Sequence, residues 1–270
     1  MNNLTLTAGV ARVDITPPVG FRMQGFMRRI EPSQGVESHL LATVLVLADE
    51  ETKVVIIDCD LVGLDMELAR EIRQAVSKRV GTSVTNVTIS CTHTHNGPST
   101  IRKLLAGPHD LQDDPREIAA LDAYIEDLAG QITGAAALAN SKCRPARVGG
   151  GCGQASVAIN REELNDDGRV LVGRNPSGIT DHSVDVLRVD DLKGNPIALI
   201  VSYAAHPVVM GYETYQISQD YPGVVRRIVE QETGHPAFFN YIPGGSDDNR
   251  ADSPFFKNPG GQTHGLVADR

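Results

Sequence analysis

A chain of 270 residues, 41% of them hydrophobic, can bury a sizeable core without disulfides or a structural metal. Its formal net charge of −9 argues against nucleic acid or an anionic membrane as the main partner, because either would require a basic surface. No run of eighteen apolar residues occurs, so we expect no transmembrane segment. Because the four cysteines form no close Cys-x-x-Cys pair and no signal peptide is recognisable, we expect a cytoplasmic location.

The chain opens with an alternating pattern over residues 9–16 that predicts a strand, which two prolines end. The loop that follows contains Gly25, Phe26, Arg28 and Arg29. Such a loop could line a site or could carry arginines that are merely solvated.

Two apolar strands are predicted over residues 40–48 and 53–58, joined by a polar turn in a hairpin. Asp60 stands at the end of the second strand, where its carboxylate could orient a metal-bound histidine, turn the chain or cap the next helix. Apolar residues recur every four positions over residues 65–80 and predict that helix, which a glycine ends.

The next segment carries two histidines. Residues 84–91 alternate and predict a buried strand, and Asn96 with the Gly-Pro after it must turn the chain. His93 and His95 lie two residues apart, so as a continuation of the strand they would face the same side. Since imidazole is the commonest metal ligand, the pair favours a metal site; the alternative is one histidine that caps the turn and one that is solvated.

A second amphipathic helix is predicted from Pro115 toward Asn140. The glycines of residues 149–153 lack the Gly-Lys-Ser/Thr of a phosphate-binding loop, so they predict a close backbone approach, a bulge or a bend. The strand after them ends in Asn160 and Arg161.

A hairpin of residues 184–189 and 197–204 runs into His206, which the following proline holds extended at the strand tip. His206 is therefore a candidate third ligand, the alternative being a satisfied core histidine. Asp220 precedes a proline-initiated helix, where it could cap the helix or face the site.

Polar residues thus recur at predicted strand ends, where ligand sites of open α/β sheets gather. Because hairpins alternate with amphipathic helices, we predict one α/β domain of mixed, partly antiparallel sheets flanked by helices. The residues expected at this edge are His93, His95, His206, Asp60, Asn160, Arg161 and residues 246–249.

Six segments also carry a family resemblance. They are Val10-Ala-Arg-Val-Asp-Ile-Thr-Pro17, Cys59-Asp-Leu-Val-Gly63, Thr92-His-Thr-His-Asn-Gly-Pro98, Asn160-Arg161, His206-Pro207 and Gly244-Gly-Ser-Asp-Asp-Asn249. In this order they resemble the N-terminal catalytic domain of the neutral/alkaline, non-lysosomal ceramidase family. The resemblance implies an amide hydrolase with one catalytic zinc ion, Zn²⁺, acting on a small-molecule amide or lipid-amide substrate.

The resemblance also assigns roles to individual residues. It implies that His93 and His206 are zinc ligands, that His95 is a catalytic histidine beside the metal, and that Arg161 is a cation near the reacting carbonyl. In the family the glycine turn carries an active-site serine within Asn-Leu-Ser-Pro-Asn, whereas here Asp248 stands opposite that serine, two residues after Ser246. We therefore expect a ceramidase-like hydrolase that is not a true ceramidase.

The family completes its zinc shell with a glutamate and a tyrosine far downstream, and this chain ends at residue 270. Three expectations remain open for residues 1–270. The domain is C-terminally incomplete, or Asp220, Asp247 or Asp248 with water replaces the two ligands, or the metal site is degraded.

Other functions fit parts of this pattern. A metallo-β-lactamase-like enzyme would place an acid two residues after His95, where Gly97 stands. A TIM-barrel amidohydrolase would place His-x-His on its first strand, whereas about three strands precede it here. A non-catalytic domain that keeps the fold and a metal-dependent esterase or lactonase are further alternatives, and the oligomeric state does not follow from the sequence.

Overall fold

The computed structural model describes residues 5–26, 28–101, 115–241 and 250–251. Its helices are α1 (Met66–Val80), α2 (Pro115–Ser141) and α3 (Asp220–Thr233). Its strands are β1 (Thr7–Asp14), β2 (Gly35–Val36), β3 (Leu41–Ala48), β4 (Lys53–Cys59), β5 (Val87–Cys91), β6 (Arg144–Gln154), β7 (Ala158–Leu164), β8 (Val170–Asn175), β9 (Ser183–Asp191), β10 (Pro196–Tyr203), β11 (Gln216–Ile217), β12 (Ala237–Tyr241) and β13 (Arg250–Ala251).

Eight strands form one mixed sheet in the order β12-β10-β9-β6-β1-β3-β4-β5. The pairs β4/β5 and β10/β12 are parallel, while β1/β3, β3/β4, β6/β9 and β9/β10 are antiparallel. The amide of Phe239 in β12 donates to the Asp58 carboxylate in β4 at 3.3 Å, so the sheet curls until its two outer parts meet. Two small sheets, β11-β2 and β13-β7-β8, complete the fold. The predicted α/β class with mixed sheets flanked by helices is confirmed.

Neighbouring residues on each strand face different layers, as the pleat requires. Val44 packs in the core beneath α1 and α2, while Leu45 packs in a second core between the two halves of the curled sheet. Phe238 joins that inner core, and Phe239 packs on the other side of β12 beneath α3. The order of layers is therefore α1 and α2, sheet, sheet, α3.

Helix α1 follows its sequence prediction closely. The Asp65 side chain caps its first turn by accepting a hydrogen bond from the Leu68 amide, and Gly81 ends it in the left-handed conformation. Among the described residues, no helix is long and apolar enough to cross a membrane.

Two local predictions need correction. Residues Val84–Asn86 form a single 3-10 turn, so the strand before the histidines begins only at Val87. The glycines of residues 149–153 neither bend nor bulge but continue β6, because β9 pairs with them without a break from Gly149 to Gln154. Pairing with a long partner strand here outweighs the poor strand propensity of glycine.

The buried carboxyl of Asp58 leads us to expect an unusual pH dependence of stability. It is 1% exposed, and burial raises the pKa of its carboxyl to about 7 despite the nearby Arg226. The folded chain therefore holds this proton more tightly than the unfolded chain, whose aspartates have a pKa of about 3.9. The stability that the bound proton contributes is complete below about pH 4 and is lost as the pH rises through about 7.

Between pH 4.5 and 8, we expect the unfolding free energy of the parent to fall by a few kcal/mol more than that of the Asp58→Asn variant. Urea unfolding of both proteins at several pH values measures this difference. Parallel pH profiles for the two proteins would contradict it.

Candidate active site

Three histidines from distant parts of the chain converge at one point. Each of His93, His95 and His206 offers a ring nitrogen, and these nitrogens lie within 4.8 Å of one another. The rings of His93 and His206 stack with centroids 5.0 Å apart, and the His95 ring stands edge-on to both. The Nε2 atoms of His95 and His206 are 2.8 Å apart. Imidazole nitrogens gathered in this way could hold a divalent metal ion.

His93 and His95 meet for a reason that the alternating pattern did not predict. β5 ends at Cys91, so both histidines follow the strand instead of continuing its pleat. His93 adopts a left-handed backbone conformation with φ of 64°. This conformation is uncommon for a residue other than glycine and persists where surrounding contacts hold it. Here the His93 amide donates to the Leu61 carbonyl at 2.9 Å.

The ring of His93 is oriented by a backbone group. Its Nδ1 lies 2.5 Å from the Val62 carbonyl oxygen, which can only accept, so Nδ1 carries the hydrogen. Nε2 is then the ring nitrogen of His93 that carries a lone pair, as a metal ligand requires. One of the roles open to Asp60 was to orient a metal-bound histidine, and that role stays a prediction. Asp60 is fully buried beneath α3, where its carboxylate pairs with Arg226 at 2.5 Å.

The loop after β1 packs against His95. Gly25, with φ of 112°, lies so close to the ring that an added Cβ would stand 2.3 Å from its Cγ. Phe26 packs edge-on against the same ring, with the two ring centroids 4.9 Å apart. Arg29 donates from Nη1 to the His95 carbonyl at 2.5 Å. Burial lowers the pKa of the Arg29 guanidinium to about 10. Arg28, in contrast, is exposed. The sequence indicated that this loop could line a site. In the structure, Gly25, Phe26 and Arg29 are the residues of the loop that contact His95.

The chain beside His206 is supported by Asp220, the first residue of α3. Its carboxylate accepts hydrogen bonds from the amides of Val209, Met210 and Tyr221 at 3.2, 2.9 and 2.7 Å. Burial raises the pKa of this carboxyl, and the three amides oppose that rise. Asp220 also has a left-handed backbone, with φ of 56°. Both of its oxygens are thus occupied in holding the segment that follows His206.

Asn96 connects the histidine segment to β11. It is fully buried, and its side-chain amide donates to the Gln216 carbonyl at 3.1 Å, while its own backbone carbonyl accepts from the Ser218 amide at 3.0 Å. Ser246, Asp247 and Asp248 lie outside the described residues, so their roles remain predictions.

Asn160 and Arg161 lie in β7, in the three-stranded sheet. Asn160 is 5% exposed, and its side-chain amide donates to the Ile179 carbonyl at 3.0 Å. Arg161 donates from Nε to the Gly173 carbonyl in β8. These bonds lie within the β7–β8 region, and the expected role of Arg161 near a substrate carbonyl stays a prediction.

A cavity of about 300 Å³ lies between the loop after β1 and the first turns of α2. The cavity is lined by Ser99, which lies four residues after His95 in the chain. It is also lined by Arg22 and Glu117, which form an ion pair with their nearest atoms 2.5 Å apart. Its apolar lining side chains are Val19, Phe21, Ile118, Ala120 and Leu121.

Sequence reasoning missed two groups that support the site. The Val62 carbonyl leaves no trace in the sequence, because every residue has such a group. Arg226 could have been found, since it falls on the buried face of α3 with Pro222 and Gly223. A charge on an inward helix face calls for a buried counter-charge, which Asp60 supplies.

A mixed α/β sheet at whose strand ends a His-x-His element meets a third histidine defines a protein with a candidate metal centre. The sequence matches the family described as neutral/alkaline non-lysosomal ceramidase, N-terminal, over residues 6–254. The chain therefore belongs to the neutral/alkaline non-lysosomal ceramidase family, and the resemblance noted from its motifs is confirmed.

Individual relatives match different shares of the chain. Neutral ceramidase of Drosophila pseudoobscura pseudoobscura is 33% identical over 98 residues, which are 35% of this chain and 14% of that protein. Neutral ceramidase B of Dictyostelium discoideum is 25% identical over 230 residues, 79% of this chain and 30% of that protein.

Two solved structures share the fold. The crystal structure of neutral ceramidase from Pseudomonas aeruginosa matches with a TM-score of 0.74 at 18% identity, over 95% of this chain and 42% of that one. A ceramidase complexed with C2 matches with a TM-score of 0.69 at 20% identity, over 88% of this chain and 37% of that one. The chain thus spans less than half the length of these relatives.

Proposed function

We propose that this domain is a zinc-dependent hydrolase of amide (N-acyl) bonds, ceramidase-like but not a true ceramidase. The observation that carries the proposal is the convergence of His93, His95 and His206 within 4.8 Å. The donor set fits zinc, because the hydrogen on Nδ1 of His93 makes Nε2 the ring nitrogen that can bind an ion, and imidazole nitrogens are common zinc ligands. When bound, zinc would polarise the substrate carbonyl and lower the pKa of a water molecule to about 7.

The roles of the protein's own groups follow from their chemistry. His93 and His206 would hold the ion. His95, whose ring Gly25 and Phe26 keep in place, would take a proton from the attacking water and return it to the leaving amine. Arg161 would add positive potential where the carbonyl oxygen becomes negative.

The remaining residues would support this chemistry. Asp248 would stand where the family has its serine, with Ser246 beside it. Asp60, Asn96, Asn160 and Asp220 would position the segments that carry the reacting groups.

The substrate class is proposed from the departures from the family. Asp248 in place of the serine argues against ceramide itself. With 4% aromatic residues and no tryptophan, the chain offers little for stacking a sugar, so we favour a small or polar amide. The apolar cavity beside Ser99 has room for a hydrocarbon tail and keeps a lipid amide within the class.

We further propose that residues 1–270 form one ceramidase-like N-terminal domain. Coverage of only 42% of the solved neutral ceramidase from Pseudomonas aeruginosa supports this.

The four cysteines are free, which suits a reducing compartment such as the cytoplasm.

A non-catalytic domain is the second candidate. Among the described residues the cluster contains three histidines and no carboxylate, which leaves the ion without a negatively charged ligand. A metal-dependent esterase or lactonase would use the same groups, because attack on the carbonyl is shared.

Metal content and a matched substrate panel test the proposal. We expect the purified 270-residue chain to contain about one zinc per molecule. We also expect it to hydrolyse short N-acyl amides faster than long N-acyl amides, ceramide and the corresponding esters. A chain that takes up no zinc on incubation with the ion would refute the hydrolase and favour the non-catalytic domain.

A further inference from the structure

Three buried side chains behind the histidine cluster carry polar atoms without a hydrogen-bond partner in the described part of the chain. These atoms are Oδ1 of Asp60, Oγ1 of Thr92 and Nη1 of Arg226. The three residues are 0%, 0% and 2% exposed. A buried polar atom without a partner is costly, so three such atoms on residues close in the fold indicate a missing partner.

Asp60 and Arg226 are in direct contact, and the register of β4 and β5, continued by one residue, pairs Thr92 with Asp60. Asp60 and Arg226 pair through Oδ2 and Nη2 at 2.5 Å, which sets their remaining polar atoms beside one another. Cys59 of β4 pairs with Cys91 of β5 in the parallel register. Asp60 and Thr92 are the residues that follow these two cysteines.

Side chains at paired positions here share a face. Two residues earlier, the Ser90 hydroxyl donates to the Asp58 carboxylate at 3.3 Å, and Asp58 lies 3.9 Å from Arg226 Nη1. The same register would place the hydroxyl of Thr92 on the side of the strands that carries Asp60.

We propose that Asp60, Thr92 and Arg226 bind one internal water molecule, and that this polar bridge sets the separation of the two halves of the histidine cluster. The guanidinium would repel a cation and the carboxylate would repel an anion, so the occupant must be neutral. Water can accept from Arg226, donate to Asp60 and bond Thr92 in either sense, and a site with three polar partners retains it.

The bridge joins the structures that carry the histidines. His93 directly follows Thr92, and its amide donates to Leu61, the residue after Asp60. Arg226 lies in α3, whose first residue, Asp220, holds the segment after His206. Arg226 is therefore a positioning residue that acts on His93 and His206 through these contacts. The link to zinc binding rests on the proposed function, whereas the water site does not.

A crystal structure of the full chain at about 1.5 Å resolution tests the water site directly. We expect one ordered water within hydrogen-bond distance of all three atoms. Side chains that bond each other directly, or an empty space between them, would overturn the proposal. This result does not depend on whether the chain binds zinc or hydrolyses an amide.

Zinc affinity, measured by competition with a chromophoric chelator, tests the positioning role. Arg226→Lys keeps the charge but loses the two-pronged donor, and we expect at least a tenfold weaker affinity. Arg12→Lys is the matched control, because Arg12 also forms an ion pair with α3, to Glu230 at 2.6 Å. We expect its zinc affinity to stay within twofold of the parent.

Equal weakening in both variants would show a general effect of loosening α3 and would overturn the positioning role. If Arg226→Lys does not fold, Thr92→Val provides the same test with a smaller change, and we expect about threefold to tenfold weaker zinc binding. An unchanged affinity in Thr92→Val would then count against the proposal. Failure of the parent chain to bind zinc would refute the proposed function and, with it, the positioning role, while the crystal structure still decides the water site.

Discussion

The His93→Ala/His206→Ala variant is expected to lose bound zinc almost completely and to hydrolyse amides at least about 1000-fold more slowly. Both substitutions remove ring nitrogens from the cluster, whose members lie within 4.8 Å of one another. The single imidazole of His95 that remains cannot hold the ion at micromolar concentrations, because one ligand alone binds zinc too weakly. Elemental analysis after gel filtration measures the metal, and circular dichroism checks the fold.

Two further variants make this experiment specific. His182→Ala removes an exposed histidine remote in sequence from all three, and it should keep the zinc content and the activity of the parent. His95→Ala should keep zinc while its turnover falls by about 100-fold or more, because general-base catalysis contributes that much. Loss of zinc from His95→Ala would make His95 a ligand, and retention of zinc by the double variant would place the metal elsewhere.

Gly25→Ala is expected to lower kcat/KM by about 100-fold, although it changes no group that reacts. A Cβ at residue 25 would stand 2.3 Å from the Cγ atom of His95 and 2.5 Å from its Nδ1, so either the ring or the loop must shift. A displacement of about 1 Å in a reacting group is enough for a loss of this size. Overpacking of this kind also costs stability, by about 1–3 kcal/mol.

Gly20→Ala is the matched control for this prediction. Gly20 has φ of 105°, close to the 112° of Gly25, but its Cβ would meet no atom within 4 Å. It therefore shares the backbone strain of an alanine in this conformation without the clash with His95. We expect its kcat/KM to remain within about threefold of the parent. If both alanine variants lose activity equally, loop strain and not the position of His95 controls the rate.

The sequence alone predicted those parts of the fold that depend on neighbouring residues. The helix predicted over residues 65–80 is α1 (Met66–Val80), and the predicted hairpin of β3 and β4 closes over a turn of four residues. The His-x-His element and His206 could likewise be recognised as candidate residues for a metal site, because the chemistry of imidazole does not depend on the fold.

Only the tertiary structure decided how these histidines are held. The Nδ1 atom of His93 finds its acceptor 31 residues earlier in the chain, at Val62, and that acceptor is a backbone carbonyl common to every residue. Arg226 finds Asp60 across 166 residues. The left-handed turn at His93, which replaces the predicted pleat, is stable only because Leu61 and Val62 lie beside it once β4 and β5 have paired. Local propensity cannot encode such contacts, since they exist only after the sheet has brought distant residues together.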